Sequence, residues 1–228
     1  VDNAVNGMGG DRNGNIWIGT DRMGLLRMNV NTHEMVREVP RNMNEYHRNQ
    51  DDVVRVQSIY VDNTDLVWVG TEKSGVAYTG KNIYRFDSDL LGDITAIAED
   101  NDGNVWYGTS DEGVVGYSGQ LASRKVTAIQ ATSDGSLWVG SRQNGLTRIK
   151  NGSSTIYSVT RDSVKKTLID DHINALCTDK VGNLWIGSAG GLQIYNPRMD
   201  SFSTYTRENG KLASNNVTSL FLAQSNQM

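Results

Sequence analysis

The sequence predicts an all-β fold, a β-propeller of four-stranded antiparallel blades, and three observations favour this fold class. A polar turn, a strand with a central tryptophan and a glycine recur five times, and the chain uses all of its tryptophans in this motif: Trp17, Trp68, Trp106, Trp138 and Trp185. Successive copies are 51, 38, 32 and 47 residues apart. A period of about 42 residues is typical of propeller blades. The 24 Gly and 2 Pro among 228 residues fit short strands joined by turns.

The turn before each tryptophan has the chemistry of a tight hairpin. It reads DRNGN, DNDGN or DKVGN in three of the copies. The side chain of Asp or Asn can bond its own backbone, and Gly adopts positive φ without steric cost. In the second copy Asp65 replaces the glycine, and Asp tolerates this conformation better than most residues.

The tryptophan strand predicts burial on both of its faces. Alternation along a strand places Ile16 and Ile18 on one face and Trp17 on the other, so neither face suits water. Radial stacking of small sheets buries both faces, and we expect each tryptophan to fill the wedge between neighbouring blades. This structural role is favoured over the alternative, a row of sugar-stacking platforms.

Each repeat supplies the remaining strands in a fixed order. An alternating strand precedes the turn (VNGMGGD, VQSIYVD, ITAIAED, VTAIQAT, INALCTD), and a third follows a short loop that ends in glycine (LLRMNV, VAYTGK, VVGYSG, LTRIKN, LQIYNP). A more polar fourth strand reads EMVREV, NIYRFD, STIYSV or FSTYTR. It is nearly missing from the third repeat, so we expect that blade to be short.

The repeats predict a single propeller region over residues 1–228. They occupy residues 1–52, 53–92, 93–124, 125–171 and 172–215, and 216–228 begin a further blade. Within this last segment, residues 217–222 repeat the apolar alternation of a first strand. We therefore expect five blades plus the first strand of a sixth, cut from a larger propeller. The strands that complete it come either from the remaining blades of a parent chain or from a second copy.

Composition argues against several function classes. A net charge of −4 gives no basis for nucleic-acid binding, and no apolar run reaches the roughly 18 residues of a membrane span. The three histidines lack the spacing of metal ligands, and no catalytic motif or cofactor motif is present. Asp100 and Asp102 could suggest a calcium loop, and Asp51–Asp52 and Asp170–Asp171 a cation site or paired acids. Turn chemistry and solvated loop charge are the favoured interpretations.

Ligand binding is expected on the loops that follow the tryptophan strands, together with the two long connections between blades, residues 41–52 and 160–171. Propeller geometry places both on one face, and variable loops on a rigid scaffold commonly carry function. Polar groups converging over a channel suit a hydroxyl-rich ligand. The candidate ligand-binding residues are Asp21, Arg22, Tyr46, His47, Arg48, Glu72, Lys73, Asp111, Glu112, Arg142, Gln143 and Asn144.

The strings GNIWIGTDRMGLLR, GSLWVGSRQNGLTR and GNLWIGSAGGLQI, with the connection GKLASNNVTSL, resemble the two-component regulator propeller repeat. The resemblance implies part of a seven-bladed propeller in the periplasmic or extracytoplasmic sensor region of a hybrid two-component protein. Such proteins of gut bacteria respond to polysaccharide fragments. Propellers of the streptogramin lyase type are related in appearance, but they differ after the tryptophan, where this chain has Gly and then Thr or Ser.

Three function hypotheses follow from the sequence. The first is a non-enzymatic, ligand-binding sensor module for an oligosaccharide, which the resemblance and the uneven loops favour. The second is a propeller lyase or glycoside-active enzyme on the same face, which requires convergent carboxylates and a basic group. The third is a protein-interaction scaffold.

Overall fold

A computed structural model describes residues 4–38, 55–72, 75–80, 83–87, 92–159 and 167–222. In this part of the chain the regular secondary structure consists of β-strands. Their bounds are β1 Val5–Gly10, β2 Asn15–Thr20, β3 Leu25–Asn29, β4 Met35–Glu38, β5 Val56–Val61, β6 Val67–Thr71, β7 Val76–Gly80, β8 Ile83–Asp87, β9 Ile94–Glu99, β10 Val105–Thr109, β11 Val126–Ala131, β12 Leu137–Ser141, β13 Leu146–Lys150, β14 Ser153–Tyr157, β15 Ile173–Thr178, β16 Leu184–Ser188, β17 Gly191–Asn196 and β18 Ser201–Tyr205.

Four of the five repeats form four-stranded antiparallel sheets in which sequence neighbours pair. Sheet 1 contains β1–β4, sheet 2 β5–β8, sheet 4 β11–β14 and sheet 5 β15–β18, while sheet 3 consists of β9 and β10. The chain divides into two compact units, Val1–Ile97 and Ala98–Met228, with the boundary inside β9. The predicted strand order within a blade is therefore confirmed for four repeats.

The turn between the first two strands of each sheet has the predicted backbone. Gly14, Gly103 and Gly182 have φ of 77°, 82° and 89°, and Asp65, which replaces the glycine in the second repeat, has φ of 65°. In the first turn, Oδ1 of Asp11 accepts hydrogen bonds from the backbone N–H groups of Asn13 and Asn15, both at 2.9 Å. The Asp of the motif thus closes the turn locally.

The same aspartate also fixes the tryptophan, which the sequence analysis did not foresee. In four repeats the indole Nε1–H donates to the carboxylate six residues earlier, at 2.8–3.0 Å. These Asp–Trp pairs are Asp11–Trp17, Asp62–Trp68, Asp100–Trp106 and Asp179–Trp185. In sheet 4 the equivalent position holds Thr132 instead. One carboxylate therefore ties a turn to the strand that follows it.

The Asp–Trp pairs predict a loss of stability in acid. Burial raises the pKa of each of the four carboxyls, but hydrogen bonds from the turn and the indole lower it by more, leaving each pKa below 3.8. A depressed pKa stabilises the fold above the unfolded pKa, and the stability is lost as pH falls through the folded value. We expect the urea midpoint to be constant near neutral pH and to fall once the pH drops below about 4.

Replacement Asp100→Asn provides the control for this pH dependence. Its amide oxygen can accept the indole hydrogen bond but does not titrate in this range. The difference between its midpoints at neutral and acid pH should be smaller than in the wild type. Equal acid sensitivity of the two proteins would exclude Asp100 as a source of the effect.

Two of the five tryptophans occupy the predicted wedge between sheets. Trp17 is 8% exposed and packs with Val56, Val67 and Val69 of sheet 2. Trp138 is 2% exposed and packs against sheet 5. The other three, Trp68, Trp106 and Trp185, are half-buried. For Trp185 the reason is that no further sheet follows β18 in the described residues.

The glycine two residues after each tryptophan contacts a side chain of the next repeat. A Cβ at Gly70, Gly140 or Gly187 would lie 2.7, 2.6 and 2.8 Å from a γ-carbon of Ile94, Ile173 and Val217, respectively. Gly19 and Gly108 receive Val56 and Val126 in the same way. We call these five contacts the glycine sockets. Only a residue without a side chain leaves room for them, and this explains the recurring glycine.

A β-bulge at the second residue of the first strand adds a hydrogen bond to these contacts. Register shifts occur at this position in sheets 1, 2, 4 and 5. In three repeats its side chain donates to the carbonyl of the residue in the next glycine socket: Asn6 to Val56, Thr127 to Ile173 and Asn174 to Val217. Since a bulge redirects a side chain out of the sheet, it aims this donor at the neighbouring repeat.

The third repeat is shorter than expected. Beyond β10 the predicted third strand, VVGYSG, is reduced to one bridge between Gly108 and Val114. Gly116 has φ of 77°, and the N–H of Tyr117 donates to the carbonyl of Val114 at 3.1 Å, so the chain turns there. The prediction of a five-blade set is corrected to four complete sheets and one two-stranded sheet.

The predicted first strand of a sixth blade is not formed at residues 217–222. Val217 does fill the socket of Gly187, and its N–H donates to the carbonyl of Ser188 at 3.0 Å. Residues 218–222 then lack a ladder partner within the described chain, and Phe221 is 90% exposed. The apolar alternation was thus recognised, but a strand also needs a neighbouring strand to pair with.

Candidate functional site

Each loop after a tryptophan strand is closed by a hydrogen bond from one side chain, which links the first end of the loop to the last. A buried Thr or Ser at the end of the strand donates its hydroxyl to the carbonyl of the glycine that closes the loop, at 2.7–3.0 Å. These clamps are Thr20–Gly24, Thr71–Gly75, Thr109–Gly113, Ser141–Gly145 and Ser188–Gly191. We call the five clamped segments the clamped loops. In the four of these loops that the structure describes in full, the hydrogen bond pre-organises the backbone, which favours precise placement of binding groups.

In four repeats, the residue before the first strand is hydrogen-bonded to the clamped loop of the same repeat. The N–H of the first residue of the loop donates to the carbonyl of the residue before the strand, at 3.0–3.1 Å. The pairs are Asp21–Ala4, Glu72–Arg55, Arg142–Lys125 and Ala189–His172. Connections between repeats therefore reach the same end of each sheet as the loops, as the propeller geometry predicts.

In the first unit, two candidate carboxylates are each fixed by a neighbour. Asp21 Oδ1 accepts from Asn6 Nδ2 at 2.7 Å, and the same amide nitrogen donates to the carbonyl of Val56 at 2.8 Å. Glu72 Oε2 lies 3.1 Å from Arg55 Nη1. The third candidate, Arg22, is exposed. Neither Asn6 nor Arg55 was predicted as a site residue, although a polar residue beside the start of each first strand was a visible signal.

In the second unit, all five candidates are exposed on clamped loops: Asp111, Glu112, Arg142, Gln143 and Asn144. Asn144 has φ of 72°, a conformation that Asn tolerates. The structure brings Arg142, Gln143 and Asn144 together on one loop and Asp111 with Glu112 on another. Within each loop the side chains are available to a ligand.

The paired aspartates before sheet 5 shape the loop backbone. The carbonyl of Asp171 accepts a hydrogen bond from the N–H of Gly145 at 3.0 Å, and the Oδ1 of Asp171 accepts one from the N–H of Val159 at 2.7 Å. Asp170 Oδ1 accepts from His172 N at 2.7 Å. Both residues are half-buried and hydrogen-bonded within the loops, whereas the sequence favoured solvated loop charge.

Four predicted candidates lie outside the described residues. They are Tyr46, His47, Arg48 and Lys73. The other acidic pair of the sequence analysis, Asp51–Asp52, lies outside them too.

A buried glutamine that sequence reasoning missed anchors the second long connection. Gln193 is 2% exposed in the middle of β17. Its Oε1 accepts from Ile169 N at 3.0 Å, and its Nε2 donates to the carbonyl of Thr167 at 3.2 Å. The signal was a polar residue within the apolar string GLQIYN, whose buried amide needs hydrogen-bond partners.

The chemistry of the clamped loops is that of hydrogen bonding. Among the described residues, no group of three His, Cys, Asp or Glu side chains could hold a metal ion. Likewise, no helix in this part of the chain has the length and apolar character needed to cross a lipid bilayer. Fixed carboxylates, amides and an exposed guanidinium can pair with hydroxyl groups of a ligand.

A family model described as two component regulator propeller matches residues 1–22, 90–111, 120–143 and 167–190. Each match covers the first strand of a repeat, the turn and the tryptophan strand. The matched segments contain four of the five tryptophans, Trp17, Trp106, Trp138 and Trp185. The second repeat is outside the matched ranges, and it is the copy in which Asp65 replaces the turn glycine. Among curated proteins, none matches the chain in sequence.

Three solved structures have a fold similar to that of this chain. The extracellular domain of the hybrid two component system protein BT3049 from B. thetaiotaomicron is 23% identical with a TM-score of 0.75, over 98% of this chain and 31% of that one. Virginiamycin B lyase from Staphylococcus aureus, in a catalytically inactive form with quinupristin, is 16% identical with a TM-score of 0.71, over 95% and 73%. PorZ of Porphyromonas gingivalis, a surface component of the type-IX secretion system, is 18% identical with a TM-score of 0.69, over 97% and 36%.

These similarities show an all-β propeller fold with four-stranded antiparallel blades. The chain spans about a third of the lengths of the BT3049 domain and PorZ. The segments similar to the two component regulator propeller repeat include the turn and the tryptophan strand of the motif. A fold of this kind hosts both binding and catalytic proteins, so function has to be argued from the loops.

Proposed function

We propose that the chain is the ligand-binding propeller part of an extracytoplasmic sensor in a two-component signalling protein, and that it is not an enzyme. Its ligand is a carbohydrate fragment bound on the clamped loops. The repeat family and the likeness to the extracellular domain of BT3049 support the sensor role. In this proposal residues 1–228 belong to one propeller region of seven blades.

The observation that carries the ligand proposal is the set of clamped loops with fixed polar side chains. Asp21 is held by Asn6 and Glu72 by Arg55, so these carboxylates need no reorganisation before they accept hydrogen bonds. Arg142 is exposed on a third loop. Pre-organised acceptors and donors suit a neutral, hydroxyl-rich ligand because little side-chain entropy is lost on binding.

The glycine sockets support a propeller with more blades than the described residues form. Val56, Ile94, Val126 and Ile173 are 0–2% exposed in their sockets, whereas the equivalent residue of sheet 1, Val5, is 54% exposed. Val5 therefore has the position and shape to fill the socket of another blade. Val217 already fills one as the first residue of a further repeat.

Replacing Arg142 by Ala is expected to weaken oligosaccharide binding by about tenfold, the loss typical of a charged hydrogen-bond donor. The measurement is a titration of purified protein with a panel of oligosaccharides, followed by calorimetry and by the melting temperature. Arg37→Ala, which removes an exposed arginine of β4, serves as the control and should bind like the wild type.

The same incubations separate the competing functions. A shift in melting temperature without change of the oligosaccharide supports the sensor. Cleavage products in the incubated samples would instead indicate a lyase or glycoside-active enzyme. Binding that Arg142→Ala and Arg37→Ala leave equally intact would contradict the assignment to the clamped loops.

A further inference from the structure

We propose a second binding site, distinct from the clamped loops, in a cavity between sheets 4 and 5 at the turn end of their strands. The cavity has a volume of about 270 Å³. Its ligand is a small organic molecule that carries a carboxylate. The residues that carry the argument are Thr132, Asp134, Trp138, Val181, Tyr195 and Arg198, all of which line the cavity.

Sheet 4 departs from the repeat at the position that pairs with tryptophan. Four repeats place an Asp six residues before the tryptophan, where it accepts the indole hydrogen bond. Sheet 4 has Thr132 there, and the Thr132 hydroxyl donates to Asp134 Oδ1 at 2.6 Å. Within the described chain, no residue accepts a hydrogen bond from Trp138 Nε1. This repeat therefore has an indole donor without its usual acceptor.

The unpaired donor belongs to a well-buried side chain. Trp138 is 2% exposed, and its ring packs against Tyr195 with centroids 5.1 Å apart. In the other repeats the indole nitrogen points toward the residue at the position of Thr132, and both Thr132 and Trp138 line the cavity. The Trp138 nitrogen is not among the fully buried polar atoms that lack a partner, so a ligand that accepts its hydrogen bond takes the place of solvent there.

The acceptors around the cavity already have protein partners. Asp134 Oδ2 lies 2.7 Å from Arg148 Nη2 and 2.9 Å from Lys150 Nζ, and these contacts hold the Asp134 carboxylate in place. Burial raises the pKa of Asp134, but hydrogen bonds from Thr132, Lys150 and Ser136 lower it well below the ordinary range, so the carboxylate stays charged. The hydroxyl of Tyr195 donates to Asp200 Oδ1 at 2.7 Å.

A free cation completes the site. The Arg198 side chain lines the cavity, and no carboxylate of the described residues forms a salt bridge with it. Two residues that line the cavity thus offer donors, the Trp138 indole and the exposed Arg198 guanidinium. A carboxylate supplies acceptors for both and a charge for the guanidinium.

The apolar residues that line the cavity favour a ligand whose carboxylate is attached to an apolar group. Val181, Leu184 and Pro197 add apolar surface. A volume near the lower end of ligand pockets restricts the ligand to a small molecule, on the order of one ring. The geometry fits a compact carboxylic acid better than an extended chain.

The test follows the indole Nε1–H signals of ¹⁵N-labelled protein during titration with benzoate, phenylacetate and pyruvate. The Trp138 signal is assigned from its loss in Trp138→Phe. We expect at least one carboxylate to move it in a saturable way, while benzamide, the uncharged analogue of benzoate, has little effect. Arg198→Gln should weaken carboxylate binding by at least about tenfold. Arg37→Gln, with the same change in charge on β4, should bind like the wild type.

Thr132→Asp is the decisive variant because it restores the Asp–Trp pair to sheet 4. Sheet 3 already has Asp100 and Asp102 at the positions equivalent to 132 and 134, so the two acids are compatible with this turn. The variant should fold with unchanged or higher stability and lose carboxylate binding. Retained binding in Thr132→Asp, or no saturable shift of the Trp138 signal with any of the three acids, would overturn the proposal. Neither result bears on the clamped loops.

Discussion

Replacement of Trp138 by Ala is expected to lower the free energy of unfolding by about 3–5 kcal/mol. The indole is 2% exposed and belongs to a core with Leu146, Ile173 and Tyr195, so truncation leaves a cavity between two sheets. The Arg148 guanidinium carbon also lies 5.4 Å from the ring centroid, and this cation–π contact is lost with the ring. Urea denaturation followed by circular dichroism measures the change.

Trp106→Ala is the matched control for this prediction. Trp106 has the same place in its repeat, but it is half-buried beside a 210 Å³ cavity that it lines together with Tyr117. Its replacement should therefore cost less than that of Trp138, even though an Asp–Trp pair is lost with it. An unchanged midpoint in Trp138→Ala would mean that the indole is not a structural element between sheets.

The second large effect is expected at the glycine that closes the fourth clamped loop. Gly145 has φ of 93°, and a Cβ there would meet the carbonyl oxygen of Tyr157 and lie 3.0 Å from Leu168 Cδ1. Left-handed backbone costs a non-glycine residue about 1–2 kcal/mol, and overpacking adds about 1–3 kcal/mol. We expect Gly145→Ala to lose about 3 kcal/mol in urea denaturation.

Gly135→Ala separates these two contributions. Gly135 has φ of 77°, but no atom lies within 4 Å of its added Cβ, so this variant bears the backbone cost alone. A loss of about 1–2 kcal/mol is expected there. Equal losses in the two variants would show that the contact with Tyr157 is relieved by a small shift of the loop.

The local features of the fold could be predicted from the sequence because short segments determine them. The turn at Gly14 and its substitute Asp65 follow from backbone preferences, and both have the expected positive φ. The Asp–Trp pairs were missed because they need two side chains to meet in space. The loss of the third strand from the third repeat also escaped prediction, since Val114 to Gly119 has strand-like composition and only the turn at Gly116 interrupts it.

The candidate site was predictable only as a set of loops. The Thr or Ser after each glycine was part of the recognised motif, but its hydroxyl clamp, seen at Thr20 and Ser141, depends on loop geometry. The sequence shows which polar residues lie on a loop, such as Arg142. It does not show which neighbour holds each of them, because Asn6 and Asp21 are brought together by pairing of strands.

The glycine sockets give the chain the energetics of a linear array. In the second unit they join β10 to sheet 4, sheet 4 to sheet 5, and sheet 5 to Val217, each through one interlocking side chain. Stability in such an array is approximately the sum of intrinsic terms and nearest-neighbour terms. A sheet that contacts a neighbour on each side is therefore stabilised by two interfaces. Local unfolding should begin at the sheets that have one interface. The recurring glycine thus sets how far cooperativity extends along the repeats.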